Sequence, residues 1–348
     1  MAQFRAFSLG GPNFIRLDFT RLPNARERKQ LQLRKKRLED AEDTMVSAMA
    51  RVQELVTVSG LSSVRIRGEF VRRIRPAPGD PSDRSAVAPE HRPPSTRLMS
   101  PNGIALPFFL ISLLEAQSRT APGHRPEATP MPIRRVGDKV GWTDFISTAA
   151  KTSGEGRHLM SRLDKKQQQV ERTLDRLRRE QLVHLPNFGN TTAAHEGFVL
   201  MREGWLPEHG DNDLYRVPDE DEDYFTVPVE LFTQGWIYVL ADSELALLLI
   251  VARWWHIHGS EKTHYLSAGP RQRHYGLSRD SYEAHMMLGN LRLMEVIADS
   301  SRWLDNSKAE DYPAKGVKPH ELRFLPDGLK AQAFPEILKE IDYQLVRR

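Results

Sequence analysis

The segment from Asp164 to Arg179 concentrates side chains that can bind DNA. Arginine and lysine donate hydrogen bonds to guanine O6 and N7 or to phosphates, and glutamine can pair with adenine through two hydrogen bonds. At about 100° per residue, Val170, Leu174 and Leu177 share one narrow face of a helix. The opposite face gathers Lys165, Gln168, Gln169, Arg172, Arg176 and Arg179. One face is therefore expected to pack against the protein and the other to present a basic surface.

Local signals predict the start of this helix and the structure of the next segment. Asp164 is a favourable N-cap, and Gln167 three residues later completes a capping-box pattern, so we expect the helix to run from Asp164 to about Arg179. A β-hairpin is expected next, because two short apolar runs flank a polar stretch. The predicted hairpin comprises a strand at 182–185, a loop at 186–197 and a strand at 198–201.

Helix, short strand, loop and strand in this order resemble the winged helix-turn-helix superfamily of DNA-binding domains, over roughly residues 137–203. In that superfamily the second helix of the motif enters the major groove, and the hairpin, or wing, lies against the backbone or the minor groove. The DNA-facing residues that the resemblance implies are Lys165, Lys166, Gln168, Gln169, Arg172, Arg176 and Arg179 on the helix, and Asn190, Thr191 and Thr192 in the wing. The alternative is a solvated helix face, since runs of charge usually form one.

The same order of elements is expected a second time. Residues 240–258 (LADSELALLLIVARWWHIH) predict a strongly apolar helix capped by Asp242 or Ser243. Ser278 is expected to cap a later helix whose Leu288 and Leu291 face inward with Tyr282 or Ala284. Strands at 295–298 and 321–325 would then enclose a long charged loop.

The second predicted unit differs from the first in the chemistry of its helix. Where the first helix has Arg and Gln, this one has Glu283, His285, Met286 and Met287, which form a poor surface for a polyanion. Its positive charge lies beside the helix, and the candidates for DNA contact are Arg271, Arg273 and Arg279. Contact with DNA and contact with a protein partner are both left open for this unit.

Two winged helices in tandem, the first basic and the second rich in aliphatic and Met side chains, resemble bacterial plasmid replication initiators and related regulators. In that family one copy commonly reads DNA, while the other dimerises or reads an adjacent site. The resemblance implies sequence-specific binding of double-stranded DNA, as a replication initiator or a transcriptional regulator, by a homo-oligomer. The alternative is a winged-helix scaffold that binds protein partners and self-associates.

The expected fold class is mainly α with small β-hairpins (α+β). The predicted regions are an N-terminal region at 1–75, a flexible Pro-rich linker at 76–98, a first winged helix at 99–206, an acidic linker at 207–226 and a second winged helix at 227–348. Trp142, Phe145 and Ile146 are expected in the core of the first winged helix.

Residues 25–58 predict one long helix with a seven-residue apolar repeat. The repeat comprises Leu31, Leu38, Met45 and Val52, with Ala41, Ala48 and Leu55 at the complementary positions and Arg34 as an interruption. Three to four heptads are just enough to predict a self-associating coiled coil. The alternative is an amphipathic helix packed on its own domain. The basic residues of its first turns could also touch DNA.

Charge is distributed unevenly along the 348 residues, although the net charge is only +4. Residues 157–179 contain eight Lys or Arg and three Asp or Glu, whereas residues 208–223 contain eight acids and one Arg. This segregation predicts basic surfaces for a polyanion, joined by an acidic linker that could shield them. The longest apolar run, 245–252, is far shorter than the roughly 20 residues needed to span a bilayer, so no membrane association is expected.

No catalytic or metal-binding constellation is expected. His256 and His258 are two residues apart, which places them on different sides of a helix, and His195 lacks the second histidine of a metalloprotease motif. The chain contains no Cys, which excludes disulfides and thiolate metal sites and suits a reducing cytoplasm. We therefore expect a protein without enzyme activity or cofactor, located in the cytoplasm with the nucleoid or a plasmid.

Overall fold

A computed structural model of the chain describes residues 22–79, 87–101, 103–153, 160–190, 193–204, 213–297 and 320–347. Helices dominate it, and the described strands form three small antiparallel sheets. The predicted class of a mixed, mainly helical fold with small β-hairpins is confirmed at this level.

The N-terminal part of the fold surrounds one buried helix. Its elements are α1 (Ala25–Ser59), β1 (Ser63–Arg67), α2 (Pro94–Arg97), α3 (Ala105–Ser118), α4 (Arg162–Arg179), β2 (Val183–His184) and β3 (Val199–Leu200). Helix α3 is apolar almost all round, and nearly every residue in it is buried. Phe108 of α3 packs against Trp142, with ring centroids 5.4 Å apart, and Trp142 packs against Phe198, with centroids 5.1 Å apart. The predicted core positions Trp142, Phe145 and Ile146 are confirmed as buried.

The C-terminal part is built around α7. Its elements are β4 (Tyr224–Pro228), α5 (Glu230–Thr233), α6 (Trp236–Val239), α7 (Asp242–His258), β5 (His264–Tyr265), α8 (Ala268–Arg273), α9 (Arg279–Tyr282), α10 (Ala284–Asn290), β6 (Met294–Ile297), β7 (Glu321–Phe324) and α11 (Ala333–Val346). Strands β5, β7 and β6 form one sheet in that order, with β7 in the centre. The predicted apolar helix and the two predicted strands are confirmed, and the charged loop between those strands falls mostly on 298–319, outside the described residues.

The predicted caps in this part are right in one case and wrong in the other. The N-cap of α7 is Ala241, whose N–H donates to the carboxylate of Glu244 at 2.8 Å, rather than Asp242 or Ser243. Ser278 does cap α9, since its hydroxyl accepts from the N–H of Ser281 at 3.1 Å. The predicted single helix after Ser278 is divided at Glu283 into α9 and α10.

Helix α1 confirms the predicted long N-terminal helix. Asn24 caps it by accepting from the N–H of Glu27 at 3.0 Å, and the Glu27 carboxylate accepts from the N–H of Asn24 at 2.8 Å. The helix ends at Gly60, whose φ of +69° is a left-handed conformation that glycine adopts without a side-chain clash.

The apolar face of α1 is buried within its own chain, against α3, α5, α11 and the 3₁₀ turn Trp142–Phe145. Leu38, Met45 and Val52, which belong to the predicted heptad repeat, are among its buried residues. Arg34 interrupts the repeat because its guanidinium donates two hydrogen bonds of 2.6 Å to Glu244 of α7. The prediction of a self-associating coiled coil is therefore wrong for this face. Over so few heptads, its spacing cannot be distinguished from that of an ordinary amphipathic helix.

Strands β1 and β4 join the two parts of the chain. They pair antiparallel, with Val64 opposite Val227 and Ile66 opposite Phe225, and these four side chains are all buried. The C-terminal end of the predicted acidic linker is thus a sheet strand.

Parts of the predicted flexible linker at 76–98 are also packed. Ala77 and Leu98 are buried, and the backbone N–H of Ala77 donates to the carbonyl of Arg273 at 2.8 Å. Residues 80–86 of this segment lie outside the described residues.

A buried ion cluster stabilises the junction beside β1. The Arg67 guanidinium donates to Glu203 at 2.6 Å and to Glu222 at 2.7 and 2.8 Å. Side-chain exposure is 3% for Arg67 and 0% for Glu203. Burial raises the pKa of the Glu203 carboxyl, and the charge of Arg67 opposes that rise. The pair therefore depends on both partners, since removing one leaves the other charge buried and unpaired.

Replacing Arg67 with Met is expected to destabilise the fold by about 3 kcal/mol at pH 8, because Glu203 loses its counter-charge. A carboxyl whose pKa is raised by folding contributes stability below its unfolded pKa, and that contribution is lost as the pH rises. The destabilisation should therefore be smaller at pH 5, where Glu203 can take up a proton. Urea denaturation at the two pH values measures this.

Arg65→Met is the matched control, because Arg65 pairs with Glu220, whose side chain is 72% exposed. We expect it to cost less than about 1 kcal/mol. Equal losses in the two variants, or a loss in Arg67→Met that does not change with pH, would contradict the role assigned to the buried pair.

Candidate nucleic-acid interface

Helix α4 begins earlier than its sequence pattern predicts. Ser161 is the N-cap: its hydroxyl accepts from the N–H of Asp164 at 3.1 Å, and the Asp164 carboxylate accepts from the N–H of Ser161 at 3.0 Å. The Ser161 hydroxyl also donates to the Asp164 carboxylate at 2.6 Å, and this hydrogen bond and the one from the Ser161 N–H hold the pKa of Asp164 below its usual value. Asp164 is thus the third residue of the helix instead of its cap, and Gln167 donates to Glu171. The end of the helix at Arg179 is confirmed.

Burial of one face of α4 determines which side chains point outward. Val170, Leu174 and Leu177 are fully buried, as predicted. The exposed side chains of the helix include Gln168, Arg172 and Arg179, which we call the exposed strip. Within the described chain, neither Gln168 nor Arg172 forms a side-chain hydrogen bond or ion pair, and Arg179 contacts only the carbonyl of Asp175 in its own helix, at 3.3 Å.

Two of the predicted DNA contacts on α4 are directed inward. Lys166 is only 8% exposed, its ammonium donates to the carbonyl of Thr143 at 3.1 Å, and burial lowers its pKa. Arg176 donates to the carbonyls of Arg97 and Met99 at 2.8 and 3.2 Å. Lys166 lies on the packed face, four residues before Val170, so its assignment to the DNA-facing set is wrong. Arg176 is half-buried and held at the C-terminal end of α2, which leaves it poorly placed for DNA.

Two other predicted residues lie at the margins of the exposed strip. Lys165 donates to the carbonyl of Lys151 at 2.5 Å and to the hydroxyl of Ser153 at 2.6 Å, so its ammonium is held by the preceding segment. Gln169 is half-buried and faces a cleft next to the helix. Both border the strip instead of forming its centre.

The predicted hairpin is present, in a shorter form. Val183 pairs with Leu200 and His184 with Val199. Its loop lies beside α4, because the His195 imidazole contacts the Asp175 carboxylate at 3.0 Å.

The loop carries the predicted wing residues. Asn190 is exposed, and its backbone N–H donates to the carbonyl of Asn187 at 2.9 Å. Thr191 and Thr192 fall outside the described residues. Of the three predicted wing contacts, Asn190 is the one that the structure places, and it lies on the outside of the loop.

In the second unit, the predicted contacts differ in accessibility. Arg271 is 6% exposed, and its guanidinium lies over the ring of Tyr282, 5.5 Å from its centroid, so its assignment as a DNA contact is wrong. Arg273 is half-buried and donates to the carbonyl of Ala77 at 3.2 Å, which leaves it poorly placed for DNA. Arg279 is exposed in the first turn of α9 and remains a candidate.

Three of the described acidic residues of the segment before β4 pair away from α4. Glu220 binds Arg65, Glu222 binds Arg67, and Asp223 binds Arg253. The expected shielding of the basic helix is therefore wrong for these residues, whose partners belong to β1 and α7. Residues 205–212 of this segment lie outside the described residues.

A cleft of about 540 Å³ lies beside α4, among α1, α3 and the segment that leads into α7. Gln169, Arg37 and Asp242 line it together with apolar side chains. The Asp242 carboxylate accepts from the N–H of Ser100 at 2.7 Å. Burial raises the pKa of Asp242 to about 7, against the effect of this hydrogen bond and of two arginines nearby. Its ionisation therefore costs folding free energy near neutral pH.

No protein family model matches this chain, and no curated protein or solved structure is similar to it at a significant level. Among the described residues, no helix is long and apolar enough to cross a membrane. The same part of the chain holds no group of three or more His, Asp or Glu side chains placed to bind a metal ion. A function can therefore be proposed only from the chain's own geometry, and the exposed strip and its surroundings are its basis.

Asp242→Asn should stabilise the protein at pH 8, because Asn keeps an acceptor for Ser100 and carries no charge. A carboxyl with a pKa raised from 3.8 to about 7 loses its stabilising contribution across that interval as the pH rises. The gain over the unsubstituted protein should be on the order of 2 to 4 kcal/mol above pH 7 and should shrink toward pH 4. Asp327→Asn, at an 87% exposed carboxylate, is the control and should change little. A gain for Asp242→Asn that is the same at pH 4.5 and pH 8 in urea denaturation would contradict this account.

Proposed function

We propose that this protein binds double-stranded DNA sequence-specifically through α4 and the hairpin after it. The observation that carries the proposal is the exposed strip. Gln168, Arg172 and Arg179 project from a helix whose opposite face is buried, and Gln168 and Arg172 have no side-chain partner among the described residues. Side chains of these types recognise base edges and phosphates.

The order of elements supports a winged-helix architecture for both units. In the first, α3, the 3₁₀ turn Trp142–Phe145 and α4 precede the hairpin β2–β3. In the second, α7, α8 and the α9–α10 pair precede β6 and β7, and β5 adds a third strand beside β7. A winged helix presents its last helix to the major groove and its hairpin to the flanking backbone, and the exposed strip lies on the corresponding helix of the first unit.

Position along the helix assigns the roles within the exposed strip. Gln168 and Arg172 lie in the second and third turns of α4, nearer its N-terminus than Arg179, and are assigned to base edges. Arg179 lies at the C-terminal end and is assigned to phosphate. Asn190 in the hairpin loop and Arg279 of α9 are candidates for further contacts with the backbone.

Two observations count against the alternative of a scaffold that binds protein partners. It relied on the heptad face of α1 and the Met-rich face of the second unit as surfaces for protein partners. The heptad face is packed inside the chain, and Met287 and His285 are buried. A homo-oligomer is retained as part of the proposal, in a replication initiator or a transcriptional regulator, through a surface other than the face of α1. Genomic footprinting distinguishes the two: a single clustered array favours initiation, and scattered promoters favour regulation.

Binding to duplex DNA is expected to depend on salt, but less steeply than the predicted set of basic residues implies. Of the predicted basic residues, three are exposed, so about three charged contacts with the duplex are expected: Arg172, Arg179 and Arg279. Affinity should then fall about 40-fold between 50 and 200 mM salt. Electrophoretic shift titrations on a site selected from a random duplex library measure this slope. Absent binding, or binding that does not change with salt, would contradict the proposal.

Single substitutions in the exposed strip should separate base recognition from phosphate contact. Arg172→Ala is expected to cost about 1 to 3 kcal/mol on the selected site and little on random DNA. Arg179→Ala should weaken binding to both DNAs alike and lower the salt slope by about one.

Two control variants accompany these measurements. Arg51→Ala removes an equal charge from the α1 surface and should leave both affinities unchanged. Lys166→Met should leave DNA binding unchanged, because its ammonium is bound to Thr143. If Arg172→Ala lowers the affinity for selected and random DNA equally, α4 is not the element that reads the sequence.

A further inference from the structure

An aromatic side chain stands exposed in the hairpin loop beside α4. Phe188 is 55% exposed, although phenylalanine is among the residue types most often buried in folded proteins. The backbone holds it there: its N–H donates to the carbonyl of Leu185 at 3.2 Å, and Gly189 comes next with a φ of +99°. The loop thus keeps the ring on the outside of the hairpin.

The ring is also stacked with a cation. The guanidinium carbon of Arg178 lies 3.8 Å from the centroid of the Phe188 ring. Packing of this closeness orients the ring, since a guanidinium plane and an aromatic face attract each other. More than half of the Phe188 side chain remains uncovered. The pair therefore presents a flat, preorganised aromatic surface with a positive charge beside it.

The position of this pair relates it to the exposed strip. Arg178 is the neighbour of Arg179 in the last turn of α4, and the contact between His195 and Asp175 fixes the loop one turn earlier. Asp175 comes three residues after Arg172 and four before Arg179, so the three share one helix face, and the contact with His195 brings the hairpin loop next to the exposed strip.

A flat aromatic surface beside phosphate-binding arginines fits one partner in particular. Nucleobases stack on aromatic side chains, and apolar rings also insert between base steps from the minor groove. We propose that Phe188, held by Arg178, is a stacking platform for a nucleobase displaced from its pair, so that the protein locally opens the DNA it binds. This inference rests on the proposed DNA binding and adds to it an activity on the duplex.

Unpairing a base costs free energy, and this cost is smaller for a mismatched base than for a paired one. The test uses the selected duplex and a set of otherwise identical duplexes, in which a single mismatched pair is moved along the site. The full-length protein should bind at least one mismatched duplex about tenfold more tightly than the matched duplex. Phe188→Ala should lose this preference and keep its affinity for the matched duplex within a few-fold.

Further variants test whether the aromatic face of Phe188 causes the mismatch preference. Phe188→Tyr and Phe188→Trp should keep the mismatch preference, whereas Phe188→Leu, which is apolar without an aromatic face, should lose it. Tyr265→Ala removes a 64% exposed aromatic ring from β5 and serves as the matched control with no expected effect.

The outcomes separate this inference from the proposed function. No binding to any duplex would overturn both. Binding to matched duplex without any mismatch preference, or a preference that survives in Phe188→Ala or Phe188→Leu, would overturn the stacking platform and leave the proposed DNA binding intact. A mismatch preference present in the unsubstituted protein and lost in Phe188→Ala and Phe188→Leu supports the proposal.

Discussion

Burial of one face of α4 is the constraint on which the candidate interface depends. Val170, Leu174 and Leu177 are fully buried. Once this stripe of the helix is buried, the helical geometry fixes which residues face outward. The same geometry exposes Gln168 and Arg172 to solvent and directs Lys166 toward Thr143. Because burial of each large aliphatic side chain stabilises by roughly 1.5 to 3 kcal/mol, no surface charge on the helix could reverse this choice.

The rest of the chain holds this helix in place through contacts that are distant in sequence. Arg176 joins α4 to the C-terminal end of α2, and the Asp175–His195 contact holds the hairpin loop against α4. Farther away, β1 pairs with β4, and the buried Arg67–Glu203 pair stabilises the same junction. A basic surface that keeps one shape needs such fixed surroundings, since side chains must be positioned before they meet a base edge.

Local patterns in the sequence predicted the elements that have strong periodicity. The N-terminal helix, the apolar helix α7 and the hairpin after α4 could be predicted, because each has apolar residues spaced at the period of its secondary structure. The inward orientation of Lys166 was also recoverable, since it lies four residues before Val170 on the same helix face.

The remaining features depend on partners that periodicity does not reveal. The alternation of Val64 and Ile66 in β1 is a strand signal, but its pairing with β4 joins residues more than 150 positions apart. Arg176 and Arg271 are of a residue type that often contacts DNA. In this fold, however, Arg176 donates to the carbonyl of Arg97, and Arg271 packs over the ring of Tyr282. Residue type predicts what a side chain can bind, and only packing determines whether it is free to do so.

Site-specific crosslinking tests the central claim most directly. The chain has no Cys, so Gln168→Cys creates a unique thiol on the exposed strip, to which a photoreactive group can be attached. Leu33→Cys on the exposed side of α1 provides the control. The account predicts that the group at position 168 crosslinks to bases at one fixed place in the selected duplex, and that the group at position 33 does not. Crosslinks of equal yield from both positions, or none from position 168 while the protein remains bound, would contradict it.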